Sequence, residues 1–195
     1  MYTETDHKTN AFASLWDRVH ECRMCPLCQT RTNVVFGEMN PDADIMFIGE
    51  APGKTEDETG RPFVGPAGQL LERYLQKMHL RREDVFIANI LKCRPPANRD
   101  PQDSEIKACT LWLNAQIGII EPKVIVTLGN FATKYITGTQ QGISSLHGTI
   151  ITLPDGKTVM PMYHPSAALH NPNLLGAIEN DFKKMALHLN IPMDP

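Results

Sequence analysis

Asp44-Ile45-Met46-Phe47-Ile48-Gly49 runs directly into Glu50-Ala51-Pro52-Gly53. A short apolar run ending in glycine reads as a buried strand. The Gly and Pro residues after it fix a tight turn and let a ligand approach the backbone closely. Two further runs have the same character, residues 85–90 (Val-Phe-Ile-Ala-Asn-Ile) and residues 123–128 (Lys-Val-Ile-Val-Thr-Leu). Helical patterns separate them. Residues 66–80 carry Leu70, Leu71, Tyr74, Leu75 and Met78 on one side. Residues 101–120 read as a second long helix with Asp100 as its cap before Pro101. Another helix is expected to start at Asn130, and residues 174–190 close the chain as a helix. Ahead of the first strand, residues 11–21 place Phe12, Leu15, Trp16 and Val19 at spacings of three and four. Residues 149–153 and 159–162 predict a hairpin turning at Asp155-Gly156. The Gly-, Pro- and acid-rich stretch through Gly65 reads as a loop. Residues 1–9 are polar and expected to fray.

Strands alternating with helices imply an α/β protein, a three-layer α/β/α sandwich around a mainly parallel sheet, expected to hold four strands. Ligands of such sheets bind outside the carboxyl ends of the strands. The loops after Gly49, Asn89, Leu128 and Met162 therefore share one rim. At 195 residues and 42% hydrophobic content, the chain fits a single domain over 1–195, since domains run to roughly 100–200 residues. No run approaches the ~20 apolar residues of a membrane helix. A formal net charge of −3 excludes a global basic field, so any nucleic-acid contact must come from a local patch.

Five cysteines carry the second signal. Cys22, Cys25 and Cys28 form C-x2-C-x2-C, and Cys93 and Cys109 follow far downstream. The N-terminus shows no secretion signal, so a reducing, cytoplasmic setting is expected and the thiols are expected to hold a metal. Zinc usually joins two close pairs, and Cys93 and Cys109 are not one. A [4Fe–4S] cluster tolerates wider spacing and is the favoured cofactor, with Cys22, Cys25, Cys93 and Cys109 as ligands and Cys28 as the spare. Cys22, Cys25 and Cys28 with one distant Cys form the alternative set.

Four rim segments carry polar chemistry. Glu50 at a strand end suits orienting a water, or it is a solvated turn acid. Phe63, between Pro62 and a Gly-rich turn, suits stacking on a planar base, or it covers the core. Asn89 offers a donor and an acceptor to a pyrimidine edge, or it bonds its own turn. Lys92, Arg94 and Arg99 form the nearest thing to a basic patch for phosphates, or a solvated run. His164 sits before Pro165, where it could donate to an oxygen gaining charge; a lone His is more often structural. The small residues after it would let a loop carrying Leu169 press into a DNA groove.

Taken together, the segments resemble the family 4 uracil-DNA glycosylases, the iron–sulfur branch of the uracil-DNA glycosylase superfamily. The resemblance rests on Cys22-x2-Cys25, Val35-Phe36-Gly37-Glu38, Gly49-Glu50-Ala51-Pro52-Gly53 and Gly60-Arg61-Pro62-Phe63-Val64-Gly65. It continues through Asn89-x3-Cys93-Arg94-Pro95-Pro96, Asn98-Arg99-Asp100-Pro101, Cys109 and Tyr163-His164-Pro165, over nearly the whole chain. It implies a monofunctional enzyme that hydrolyses the N-glycosidic bond of deoxyuridine in single- or double-stranded DNA, working as a monomer. By the same resemblance, Glu50 and His164 are catalytic, with His164 bonding uracil O2. Phe63 stacks on the base, Asn89 reads its edge, Glu56 crowds its 5-position, and Ala51 and Asn98 complete the substrate site. Arg94, Ser166 and Leu169 are expected to meet DNA. Pro66, and Ser166 in place of the family's frequent Ala, are mild departures. The competing readings are a redox module on the same scaffold and a zinc-bound nucleic-acid-binding domain.

Overall fold

Five strands, β1 (Ile45–Gly49), β2 (Phe86–Asn89), β3 (Val124–Leu128), β4 (Ile151–Thr152) and β5 (Thr158–Met162), form one sheet in the order β2-β1-β3-β5-β4. The structure is a computed structural model that describes residues 4–38 and 40–194. β2, β1, β3 and β5 run parallel, and β4 pairs antiparallel to β5 as a two-residue edge. The expected four-stranded sheet thus has five, because the hairpin adds its short arm to the edge. β1, β2 and β3 are buried at every position, which is why they read as unbroken apolar runs and not as alternating ones.

Alternation along these strands sends neighbours to opposite faces. Met46 and Ile48 of β1, with Phe86 and Ala88 of β2, pack under α1 (Glu4–His20) and α4 (Asp103–Ile120) through Phe12, Leu15, Val19, Leu113 and Ile117. Ile45, Phe47 and Ile87 face the other way, onto α3 (Pro66–Lys77) and α8 (Leu175–Leu189) through Leu71, Leu75, Phe182 and Met185. Two cores on two faces make the three layers. Phe182 anchors the second, stacked on Tyr74 at 4.7 Å and on Phe47 at 6.1 Å between ring centroids.

Several boundaries differ from the sequence reading. α1 starts at Glu4, so the polar residues from there to residue 9 are helical and not frayed. Residues 54–59, read as loop, form α2 (Lys54–Thr59). It has no apolar stripe. It is held by Asp57, which is buried and accepts the backbone N–H of Thr32 at 3.0 Å and of Asn33 at 3.4 Å. α4 begins at Asp103 with Gln102 as its cap, not at Asp100-Pro101, because the Glu105 carboxylate turns back to accept the Gln102 N–H at 2.9 Å. α3 stops at Lys77, where His79 takes a left-handed φ of 54°. The chain between β3 and the edge hairpin forms α5 (Asn130–Thr137) and α6 (Ile143–Leu146). After β5, the expected loop is a six-residue helix, α7 (Pro165–His170). No described helix is long and apolar enough to cross a membrane.

Phe182→Ala removes the ring between two aromatic neighbours. It should cost about 3–5 kcal/mol, the usual range for a buried Phe truncation. A denaturant titration should show a lowered midpoint at unchanged slope.

Candidate functional site at the carboxyl rim of the sheet

Register sets the site. Gly49 stands opposite Asn89, and Leu128 opposite Met162, so four strands end level. Ile90 N donates to Gly49 O at 3.0 Å and Leu91 N to Glu50 O at 3.0 Å, which carries the β1–β2 pairing into the two following loops. A cleft of about 250 Å³ opens above these ends. It is lined by Glu50, Ala51, Glu56, Phe63, Asn89 and His164, with Asn98, Arg99 and Ser166 at its wall. The sequence-predicted catalytic and substrate residues therefore converge on one cavity. Arg94 and Leu169 are not part of that lining.

Asn89 is 2% exposed, and its Oδ1 has no hydrogen-bond partner among the described residues. A buried acceptor left unpaired costs about 1–3 kcal/mol, a penalty that an arriving donor removes. The turn-bonding reading of Asn89 fails for this oxygen. A Cβ at Gly49 would sit 2.4 Å from Asn89 Oδ1 and 2.5 Å from Phe63 Cζ, so only glycine lets both side chains meet over the end of β1. Phe63 is itself 5% exposed, with a left-handed φ of 49°, and its ring lies 5.4 Å from that of His164. It covers core and lines the cleft at once.

His164 is presented by the turn into α7. Its Nδ1 accepts the Ser166 backbone N–H at 3.1 Å and faces Ser166 Oγ at 2.6 Å. With a donor already aimed at Nδ1, the neutral ring must carry its proton on Nε2. Burial lowers the His164 pKa to about 4, against a weaker opposing pull from Glu56. The ring is thus a neutral Nε2–H donor at ordinary pH. Glu50 has the opposite shift: burial, and then the nearby Asp100, raise its pKa to about 6. Glu56 Oε1 accepts Val64 N at 3.0 Å and Gly65 N at 2.8 Å, so this acid braces the Phe63 loop from inside the cleft wall.

The basic patch does not form as read. Lys92 is 1% exposed and points inward, donating to Asn89 O at 2.9 Å and Gln116 Oε1 at 2.6 Å. Burial lowers its pKa to about 8. Arg99 spends its fork on the buried Glu105 carboxylate, at 2.9 and 2.6 Å. Arg94 is half-buried and donates to Asn98 Oδ1 at 2.7 Å. Leu169 is half exposed on α7, a helix and not the loop anticipated.

A second pocket gathers all five cysteines between α1, α4 and the loop after β2. None is in a disulfide. Three sulfurs already receive N–H donors, each at 3.2 Å: Cys22 from Trp112 Nε1, Cys93 from Arg31 Nη1, and Cys109 from Lys92 N. Such donors tune sulfur held by iron. Burial raises the thiols of Cys93 and Cys25, and that of Cys109 to about 12, so ligation here requires a metal to displace the protons. Among the described residues, no three His, Cys, Asp or Glu side chains converge as a single ion would need. Cys28, the expected spare, is half-buried and lines the same pocket.

The chain belongs to the uracil DNA glycosylase superfamily, whose family model matches residues 36–189. Its relatives fix the branch. It is 50% identical to the type-4 uracil-DNA glycosylase of Sulfurisphaera tokodaii, over 87% of this chain and 80% of that protein. It is 51% identical to that of Thermotoga maritima, over 80% and 81% of the two chains. The type-4 enzyme of Saccharolobus solfataricus is 47% identical, over 87% and 82%.

Nitrogen-15 NMR of the His164 ring should report the Nε2–H tautomer and neutrality down to about pH 4. A midpoint near the ordinary histidine value of about 6.5 would contradict the geometry.

Proposed function

We propose that this protein hydrolyses the N-glycosidic bond of deoxyuridine in single- or double-stranded DNA, releasing uracil and leaving an abasic site for repair. The unpaired, buried Asn89 Oδ1 in the same cleft as Phe63 and His164 is the observation that carries the reading. Uracil N3–H supplies the missing donor. Cytosine presents an acceptor there and would leave two acceptors facing each other, which disfavours it.

The target nucleotide leaves the stack at a cost of a few kcal/mol, least where the base is mismatched or single-stranded. Phe63 stacks on the extruded ring and Asn89 reads its edge. As the glycosidic bond breaks, electrons move to the departing base and O2 gains negative charge. His164 Nε2–H donates to that oxygen without first losing a proton. Ser166 keeps the tautomer correct, which gives Ser166 a positioning role besides its place on the DNA-facing turn. The sugar becomes oxocarbenium-like, and the Glu50 carboxylate balances that charge and orients the attacking water. Glu56 and Ala51 wall the base, with Glu56 set against the 5-position, and Asn98 closes the far side. Arg94 and Leu169 lie toward the duplex, Leu169 filling the gap left in the stack. No lysine nucleophile is assigned, so the strand stays intact.

Cys22, Cys25, Cys93 and Cys109 would hold a [4Fe–4S] cluster, with Cys28 spare. All five cysteines line one pocket, and three of their sulfurs already accept N–H donors, as sulfur bound to iron commonly does. Bound there, the group would be held by the segment after α1, the loop after β2 and α4, through Cys22 and Cys25, Cys93 and Cys109 respectively. The purified protein should be brown and carry about four iron atoms per chain, and Cys93→Ala should lose both colour and iron.

His164→Ala should lower kcat by about 10²–10³ in single-turnover uracil release, and Asn89→Ala should cut kcat/KM. Glu50 is useful as the carboxylate, which exists above its pKa of about 6 and is lost as pH falls through it. The rate should therefore be flat above pH 6 and fall below it, and Glu50→Gln should remove that inflection while lowering the plateau. Strand breaks on a single-uracil duplex before alkali would contradict the monofunctional reading.

A further inference from the structure

Glu38 closes the stretch 35–38, to which the reaction so far gives no task, and it points at another unassigned residue, Arg82. Gly37 passes β2 so closely that a Cβ there would lie 2.7 Å from Phe86 Cζ and 3.1 Å from Ile87 O. Glu38 N then donates to Ile87 O at 3.1 Å, which fixes the Glu38 backbone against the strand. Its carboxylate accepts Arg82 Nε. Arg82 opens the short helical turn before β2, and its guanidinium reaches across to the base-facing loop. Nη1 donates to Phe63 O at 2.8 Å, and Nη2 donates to Pro62 O. Both side chains are largely withdrawn from solvent, at 12% and 16% exposure. Arg61 also approaches Glu38, at 4.0 Å, but is 62% exposed.

The loop needs such a clamp. Phe63 holds a left-handed φ, which an aromatic residue seldom adopts unaided. Glu56 grips the two N–H groups after it, and Arg82 grips its own carbonyl and the one before. Beneath them, a Cβ at Gly68 would come within 1.7 Å of Phe63 O, so the carbonyl already rests against the start of α3 in space that only glycine leaves.

We propose that Arg82, itself oriented by Glu38, is a positioning residue that sets the Phe63 ring for stacking on the extruded base. The proposal rests on the glycosylase reading above. It assigns the fork of Arg82 a task that lysine cannot do, since one ammonium cannot bridge two carbonyls and a carboxylate in a plane.

Binding is compared on two uncleaved duplexes, one with 2′-fluoro-2′-deoxyuridine and one with a tetrahydrofuran abasic analogue that has no base to stack. Arg82→Met should weaken the fluorouridine duplex about tenfold, within the range for loss of one base–aromatic stack, and lower kcat for uracil release. Affinity for the abasic duplex should stay within about twofold, as for a substitution remote from the contact. Phe63→Ala should show the same split, and the double variant should be no worse than Phe63→Ala alone. Arg82→Lys should behave as Arg82→Met, and it carries the test if the methionine variant does not fold. Glu38→Ala, which removes the acceptor for Nε, should show the same split in weaker form. Equal losses on both duplexes, no loss on either, or additive losses in the double variant would overturn the proposal. Wild-type protein that releases no uracil would instead defeat the glycosylase reading, a separate outcome.

Discussion

The pairing of β1 with β2 in a register that sets Gly49 opposite Asn89 is the constraint on which the site depends. Parallel strands buried on both faces can shift only by moving every side chain to the wrong layer. That penalty is paid by the two cores, through Met46 and Ile48 on one side and Phe47 and Ile87 on the other. The strand ends are therefore fixed without any help from the cleft. Asn89 can then be buried with an unpaired oxygen, a local cost the cores cover easily, and the oxygen stays available.

The cysteine pocket and the cleft are joined through one buried side chain. Lys92 donates its backbone N–H to Cys109 Sγ and its Nζ to Asn89 O and Gln116 Oε1, and Gln116 in turn donates to Phe36 O at 2.9 Å. A lysine so placed is costly unless every N–H finds a partner. Here the partners run from the sulfur pocket to Asn89 in the cleft. Lys92 thus ties the sulfur pocket to the backbone of Asn89, and the two sites share one buried residue.

Much of this architecture was legible in the sequence because it rests on apolar periodicity. The three buried strands and helices α3, α4 and α8 each announce themselves by runs or stripes. The parts that were not legible are held by polar contacts. α2 is built from Lys-Thr-Glu-Asp-Glu-Thr, with no stripe at all, and it exists because Asp57 is buried against the backbone of residues 32–33. Lys92 and Arg99 read as surface cations because sequence records charge and not direction, and only the fold turns them toward Gln116 and Glu105. The cleft residues Glu50, Phe63, Asn89 and His164 were found through strand ends and motif order. Arg82 was missed, since a charged Arg-Arg-Glu-Asp turn looks like any solvated connection. The one available hint was Glu38, an acid in a recurrent motif with no assigned partner.

The glycine at the end of β1 has a consequence for how this pocket can change. Any side chain at 49 would strike both Asn89 and Phe63, so the floor beneath the ring is closed to variation. New preferences for damaged bases, in evolution or by engineering, must therefore arise from cleft walls that carry no such contact, such as Ala51. The platform itself would have to be rebuilt as a unit or not at all.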